Sequence, residues 1–126
     1  MTAELYLGDI FAGLPFADAA FDAVLSTQVV HHARLAQIRA LVSEIERVLA
    51  GAGLVFATVP SLRNQGTQFQ LIEPGTFLPL DGREAGLPHH YFTPEELYEV
   101  FEHFAVIDLH VDSDQHYCLT AQKRDM

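Results

Sequence analysis

A helical repeat set between two short apolar runs limits what this chain can fold into. Leu35, Ile38, Val42, Ile45 and Leu49 recur every three or four residues, Leu41 and Val48 widen the stripe, and Arg39, Ser43, Glu46 and Arg47 fall off it. This is the spacing of an amphipathic helix buried along one side. Phe21 to Thr27, ahead of it, has the length and composition of a strand buried on both faces. Leu54 to Val59 is a second such run, stopped by Pro60. Gly51, just past the last apolar turn, is placed to close the helix in the left-handed conformation. Strand, helix, strand is the parallel crossover unit, right-handed almost without exception.

Between Ser61 and Phe92 no period holds for long, and Pro74-Gly75 and Asp81-Gly82 punctuate short apolar pieces. A connection of this length in a compact domain is commonly functional or mobile, so residues 61–92 are read as a substrate-side excursion or lid. A clear helix start follows: Thr93 as N-cap, Pro94 at the first helical position and Glu96 to complete a capping box. Leu97, Val100, Phe101 and Phe104 then share an apolar face. Val106 to Val111 and Tyr117 to Gln122, separated by Asp112-Ser113-Asp114-Gln115, predict an antiparallel hairpin. The order specifies one α/β domain over residues 1–126, an open and mostly parallel sheet with a C-terminal antiparallel hairpin. Ligands on such sheets sit at the carboxyl ends of the strands, here near Ser26-Thr27-Gln28 and Pro60-Ser61.

Charge and composition exclude several classes of function. The 126 residues carry a formal charge of −10, with Lys123 the single lysine, leaving little to neutralise a nucleic-acid backbone or an anionic membrane. No apolar run approaches the roughly 20 residues that a bilayer requires. The first residues, Met1-Thr2-Ala3-Glu4, show no basic region followed by an apolar stretch, so a cytoplasmic location is expected. The one cysteine, Cys118, cannot form an internal disulfide and sits in a strand-like run, which suits packing better than nucleophilic chemistry.

The amino-terminal half carries a more specific pattern. Asp9 follows a strand-like segment; Leu14-Pro15-Phe16, Asp18, Phe21-Asp22 and the apolar run Ala23 to Ser26 come next, then His31-His32 and Glu44-Ile45-Glu46-Arg47-Val48-Leu49. In this combination and spacing the chain resembles the class I S-adenosylmethionine-dependent methyltransferases, of the methyltransferase type 11-like kind. His90-Tyr91-Phe92-Thr93-Pro94-Glu95-Glu96-Leu97 and Tyr117 to Lys123 are similar to the family's late helix start and final strand, more loosely. The resemblance implies a partial Rossmann-like methyltransferase sheet, S-adenosylmethionine as cofactor and methyl transfer to a small molecule. It implies that Asp9 accepts a hydrogen bond from the adenine amino group, that the Ile10 amide faces the ring, and that Ser26, Thr27 and Gln28 flank the methionine part. The same carboxylate could instead serve as a turn or helix cap.

The family's glycine-rich loop and the acidic residue closing its second strand have no counterpart ahead of Asp9. Gly51-Ala52-Gly53 follows a helix and precedes a strand, the reverse of a nucleotide loop. Met1 is therefore read as an internal start, and the chain alone is expected to bind cofactor weakly and to be inactive. The strand at Phe21 to Thr27 would then be an unpaired edge, and a homodimer through it is expected, or else a non-catalytic half-domain that serves as an interaction module.

His31 and His32, and His89, His90 and Tyr91 at the end of the excursion, are the substrate-binding candidates. The first pair could orient the acceptor, take its proton or cap the following helix; the second group could close over a substrate. Neighbours in an extended chain point opposite ways, so neither histidine pair is expected to place both rings on one metal, and no metal site is assigned. A histidine-based metallohydrolase stands as a third, disfavoured class.

Overall fold

The computed structural model describes residues 2–61 and 69–124. Residues 62–68 of the expected excursion, and Met1 with its reading as an internal start, lie outside the described residues. After a single 3-10 turn at Ile10–Ala12, the chain runs β1 (Phe21–Thr27), α1 (Leu35–Val48), β2 (Leu49–Pro60), β3 (Phe69–Glu73), β4 (Thr76–Pro79), β5 (His89–His90), α2 (Pro94–Val100), β6 (Phe104–Val111) and β7 (His116–Lys123). The order contains the strand, helix, strand and the closing hairpin that the repeat pattern predicts.

Four strands form the main sheet in the order β1-β2-β7-β6. β1 runs parallel to β2, with Val24 opposite Val55 and Ser26 opposite Ala57. β2 and β7 are antiparallel, as are β7 and β6, so the hairpin adds its second strand first. Val55, Ala57 and Val59 alternate into the core from β2, the period of a pleated strand. Ile38, Leu41, Val42 and Ile45 of α1 join them with Leu97, Val100, Phe101, Phe104 and Leu119 in one cluster. Burying an isoleucine such as Ile38 fully is worth about 1.5–3 kcal/mol.

Three expectations are corrected by this arrangement. β1 is not buried on both faces: Leu25 is 75% and Phe21 38% exposed, and among the described residues β1 pairs with β2 alone, at the edge expected of it. Gly51 does not close α1. The helix ends at Leu49 with extended angles (φ −80°, ψ 136°), the positive φ falls on Ala52 at +63°, and the glycine that cannot be replaced is Gly53, where a Cβ would meet the Ala50 carbonyl at 2.8 Å. The segment ahead of Asp9, where the family pattern has a strand, forms none among the described residues.

Residues 69–92 of the excursion are more ordered than their sequence suggests. β3, β4 and β5 make a second, antiparallel sheet of three strands. Pro74-Gly75 is its hairpin turn, Gly75 taking φ +79° as a Pro-Gly turn requires. β5 is clamped on its other side by the His90 amide, which donates to the His31 carbonyl at 2.8 Å. His89 and His90 are thus held in a sheet, and the Tyr91 amide bonds to the Gly75 carbonyl of its hairpin turn.

Candidate functional site

The amino-terminal candidates line a cleft of about 390 Å³ bounded by Tyr6 to Ile10 and Gly13 to Phe16, within the range of small-ligand pockets. Its walls are mainly apolar, with Leu7, Ile10, Leu14, Pro15 and Phe16; Tyr6 meets Phe16 edge to face at 4.9 Å, and Phe16 meets Phe21 at 5.0 Å. Asp9 caps the 3-10 turn, its Oδ1 accepting from the Phe11 amide at 2.9 Å. The cap role and the ligand role are compatible, because a carboxylate has a second acceptor oxygen.

What holds the cleft on the domain is a pair of residues on α1. Glu44 Oε1 accepts from the Leu14 amide at 2.8 Å. Arg47 donates to the carbonyls of Phe16 (2.7 Å) and Leu14 (3.0 Å), to Asp18 (2.9 Å) and to Glu44 (2.7 Å). The Arg47 guanidinium and the Leu14 amide hold the Glu44 carboxyl down at about 2, and Glu44 with Asp18 raises the guanidinium further above its ordinary range. The Glu-x-x-Arg spacing thus puts both side chains over one helix turn, and its task is to fasten residues 14–18.

Ser26, Thr27 and Gln28 stand at the carboxyl end of β1 and do not line that cleft. Gln28 takes a positive φ of 57°; its amide donates to the Thr58 carbonyl at 2.9 Å and its side chain to Thr58 Oγ1 at 3.2 Å. Thr58, which the sequence did not single out, closes that corner.

The histidines of the two pairs meet in one place. His32 closes a turn on the Val29 carbonyl (3.0 Å), so this backbone is not extended. The rings of His31 and His32 therefore lie 4.1 Å apart between centroids, with His89 at 5.3 Å from the first and 4.7 Å from the second. The expectation that the adjacent rings diverge is overturned by that turn. His31 is buried, and its Nδ1 has no hydrogen-bond partner among the described residues. Burial, first, and then the neighbouring imidazoles push its pKa down to about 3. His32 is lowered by burial and by His89, against an opposing pull from Glu84.

His90 belongs to a different network, and its assignment to substrate is corrected. It is fully buried, with Nδ1 2.6 Å from Thr76 Oγ1 and Nε2 in contact with the Glu96 carboxylate. Thr76 donates to Glu73 at 2.9 Å, so its oxygen accepts from His90. Glu73 also accepts from the Leu35 amide at 2.8 Å, capping α1 in place of either histidine of the first pair. Glu96 spends its carboxylate on His90 rather than returning to Thr93, so only half of the predicted capping box forms: Thr93 Oγ1 accepts from the Glu96 amide at 3.2 Å. Tyr91 donates its amide to the Gly75 carbonyl at 2.8 Å and packs its ring against Phe77. Cys118 is buried and its thiol is pushed up by that burial, the inert role expected of it. Among the described residues no helix is long and apolar enough to cross a membrane.

Comparison with known proteins gives these features a family context. Residues 2–57 match the family model described as Methyltransferase domain. A SAM-dependent methyltransferase from Methanosarcina mazei is 20% identical with a TM-score of 0.81, covering 99% of this chain and 69% of its own. The 1,6-didemethyltoxoflavin-N1-methyltransferase of Burkholderia thailandensis, solved with 1,6-didemethyltoxoflavin and S-adenosylhomocysteine, is 21% identical with a TM-score of 0.68, covering 87% of this chain and 47% of its own. The cyclase SpnF shares the fold at 18% identity and a TM-score of 0.66, over 96% of this chain and 56% of its own. The chain thus spans about half the length of the Burkholderia thailandensis enzyme. A search of the curated proteins found no match.

Proposed function

We propose that this chain, whose residues 2–57 match the methyltransferase family model and whose fold is that of a SAM-dependent methyltransferase, serves methyl transfer from S-adenosylmethionine to a small molecule. The observation that carries the reading is Asp9 at the rim of an apolar cleft of about 390 Å³, inside the stretch that matches the family model. A neutral purine is distinguished by paired donors and acceptors in an apolar slot, and Asp9 Oδ2 with the Ile10 amide supplies one of each. S-adenosylmethionine brings an already activated methyl group, so the protein need only align the acceptor and exclude water. Ser26, Thr27 and Gln28 would flank the methionine portion, and His32, less buried than His31, would face the acceptor.

Asp9 and Ile10 would supply the adenine end of the contacts, and weak cofactor binding and no turnover are expected of the chain alone. Calorimetric titration with S-adenosylhomocysteine tests this. Asp9→Asn is the informative variant: asparagine still caps the 3-10 turn but has one acceptor oxygen, so adenine loses its partner while the fold is kept. Affinity should fall roughly tenfold or more; equal affinity in the variant overturns the assignment of Asp9.

The exposed flank of β1 favours a second reading, in which the chain is a non-catalytic module that pairs with a second copy of itself. Leu25 stands 75% exposed on a strand that has one neighbour, and open strand edges are templates for pairing.

A further inference from the structure

We propose that His31, His32 and His89, with Glu84, form a binding site for a first-row divalent metal ion of the zinc type. The three imidazoles each offer a ring nitrogen, and these atoms lie within 4.8 Å of one another. Three nitrogens on a tetrahedral zinc would stand about 3.3 Å apart, given a bond of about 2.05 Å. The present spacing is therefore closed by small rotations of side chains already in contact. The main chain preorganises the group, because the His31 carbonyl accepts from the His90 amide and so docks β5 beside the turn at His32.

Proton bookkeeping points to a cation. His89 Nδ1 lies 2.7 Å from the Leu87 carbonyl, which only accepts, so this nitrogen carries the hydrogen. In the neutral ring Nε2 is then a lone pair, and it faces a carboxylate oxygen of Glu84. Two acceptors face each other at contact distance, a situation relieved by a proton or by a metal ion between them. His32 Nε2 is 3.7 Å from the same Glu84 oxygen. His31 holds a buried Nδ1 with no partner among the described residues, which is costly in a folded interior unless something coordinates it. Three imidazoles and a carboxylate are a donor set that zinc and its neighbours accept. Glu84, about half exposed, gives the ion a way in from solvent.

The experiment uses the full chain stripped of metal by chelation and titrated with Co²⁺ and then Zn²⁺. One cobalt per chain should bind with the visible d–d bands of a four-coordinate site, zinc should bleach those bands, and zinc should raise the thermal unfolding midpoint. His89→Ala and His32→Ala should each weaken binding at least tenfold, a loss of the size that disturbing a metal site commonly causes. His103→Ala, at an exposed histidine outside the cluster, should leave it intact. His32 and Glu84 are the more exposed members, so His32→Ala and Glu84→Ala report even if a buried-site variant does not fold. Absence of cobalt bands at a hundred-micromolar excess overturns the site. Undiminished binding in His32→Ala and His89→Ala, or loss of it in His103→Ala, overturns it equally. None of these readouts requires the methyl donor, so the outcome is independent of the function proposed above.

Discussion

Glu44 shows how one side chain can decide where a binding cleft lies. Its carboxylate holds the Leu14 amide and is gripped by Arg47, and those bonds keep its pKa near 2 against an ordinary 4.5. The folded value lies below the unfolded one, so the unfolded chain binds more protons as pH falls. The stabilisation is complete above pH 4.5 and is lost progressively toward pH 2. Denaturation midpoints of the wild type and Glu44→Gln should therefore differ at pH 7 and converge through that interval. A constant gap across it would show that the carboxylate charge is not what fastens residues 14–18. The motif containing Glu44 and Arg47 was visible in the sequence, but its use was not: the partners are backbone groups some thirty positions away, which no local pattern encodes.

Among the elements, the two helices were legible for different reasons. α1 was visible because its burial is one-sided and its stripe is long: Ile38, Leu41, Val42, Ile45 and Val48 are all buried. Truncating Ile38→Ala should cost about 2–5 kcal/mol in urea unfolding, and a loss below 1 kcal/mol would place Ile38 outside the core. α2 was visible from its cap, and Thr93→Ala should cost about 1 kcal/mol. The predicted box partner Glu96 does not return to Thr93 because a buried histidine competes for the same carboxylate. The second sheet stayed hidden because β3, β4 and β5 are short, five, four and two residues, too brief for an alternating pattern to emerge. The histidine cluster was missed for a related reason. Its first pair sits in a turn following the positive φ at Gln28, a conformation that nothing in Ser26-Thr27-Gln28-Val29 announces.

For the molecule as a whole, the α/β fold with its parallel crossover, its closing hairpin and the edge position of β1 could be anticipated, and the exposure of that strand's side chains could not. β1 carries the apolar composition of an interior strand and occupies the end of the sheet, where composition and position disagree. The self-pairing reading of that edge predicts a dimer that forms with rising concentration and is abolished by Leu25→Lys, followed by sedimentation velocity. A strictly monomeric wild type over the same range would remove the interaction reading. The link between the His31 carbonyl and the His90 amide, set beside the Glu73 cap on Leu35, has a different consequence. The small sheet cannot swing outward without also unravelling the first turn of α1, so both must open together as one cooperative unit. Whatever sits among the histidines is thereby coupled to the integrity of the helix that carries the clamp on the cleft.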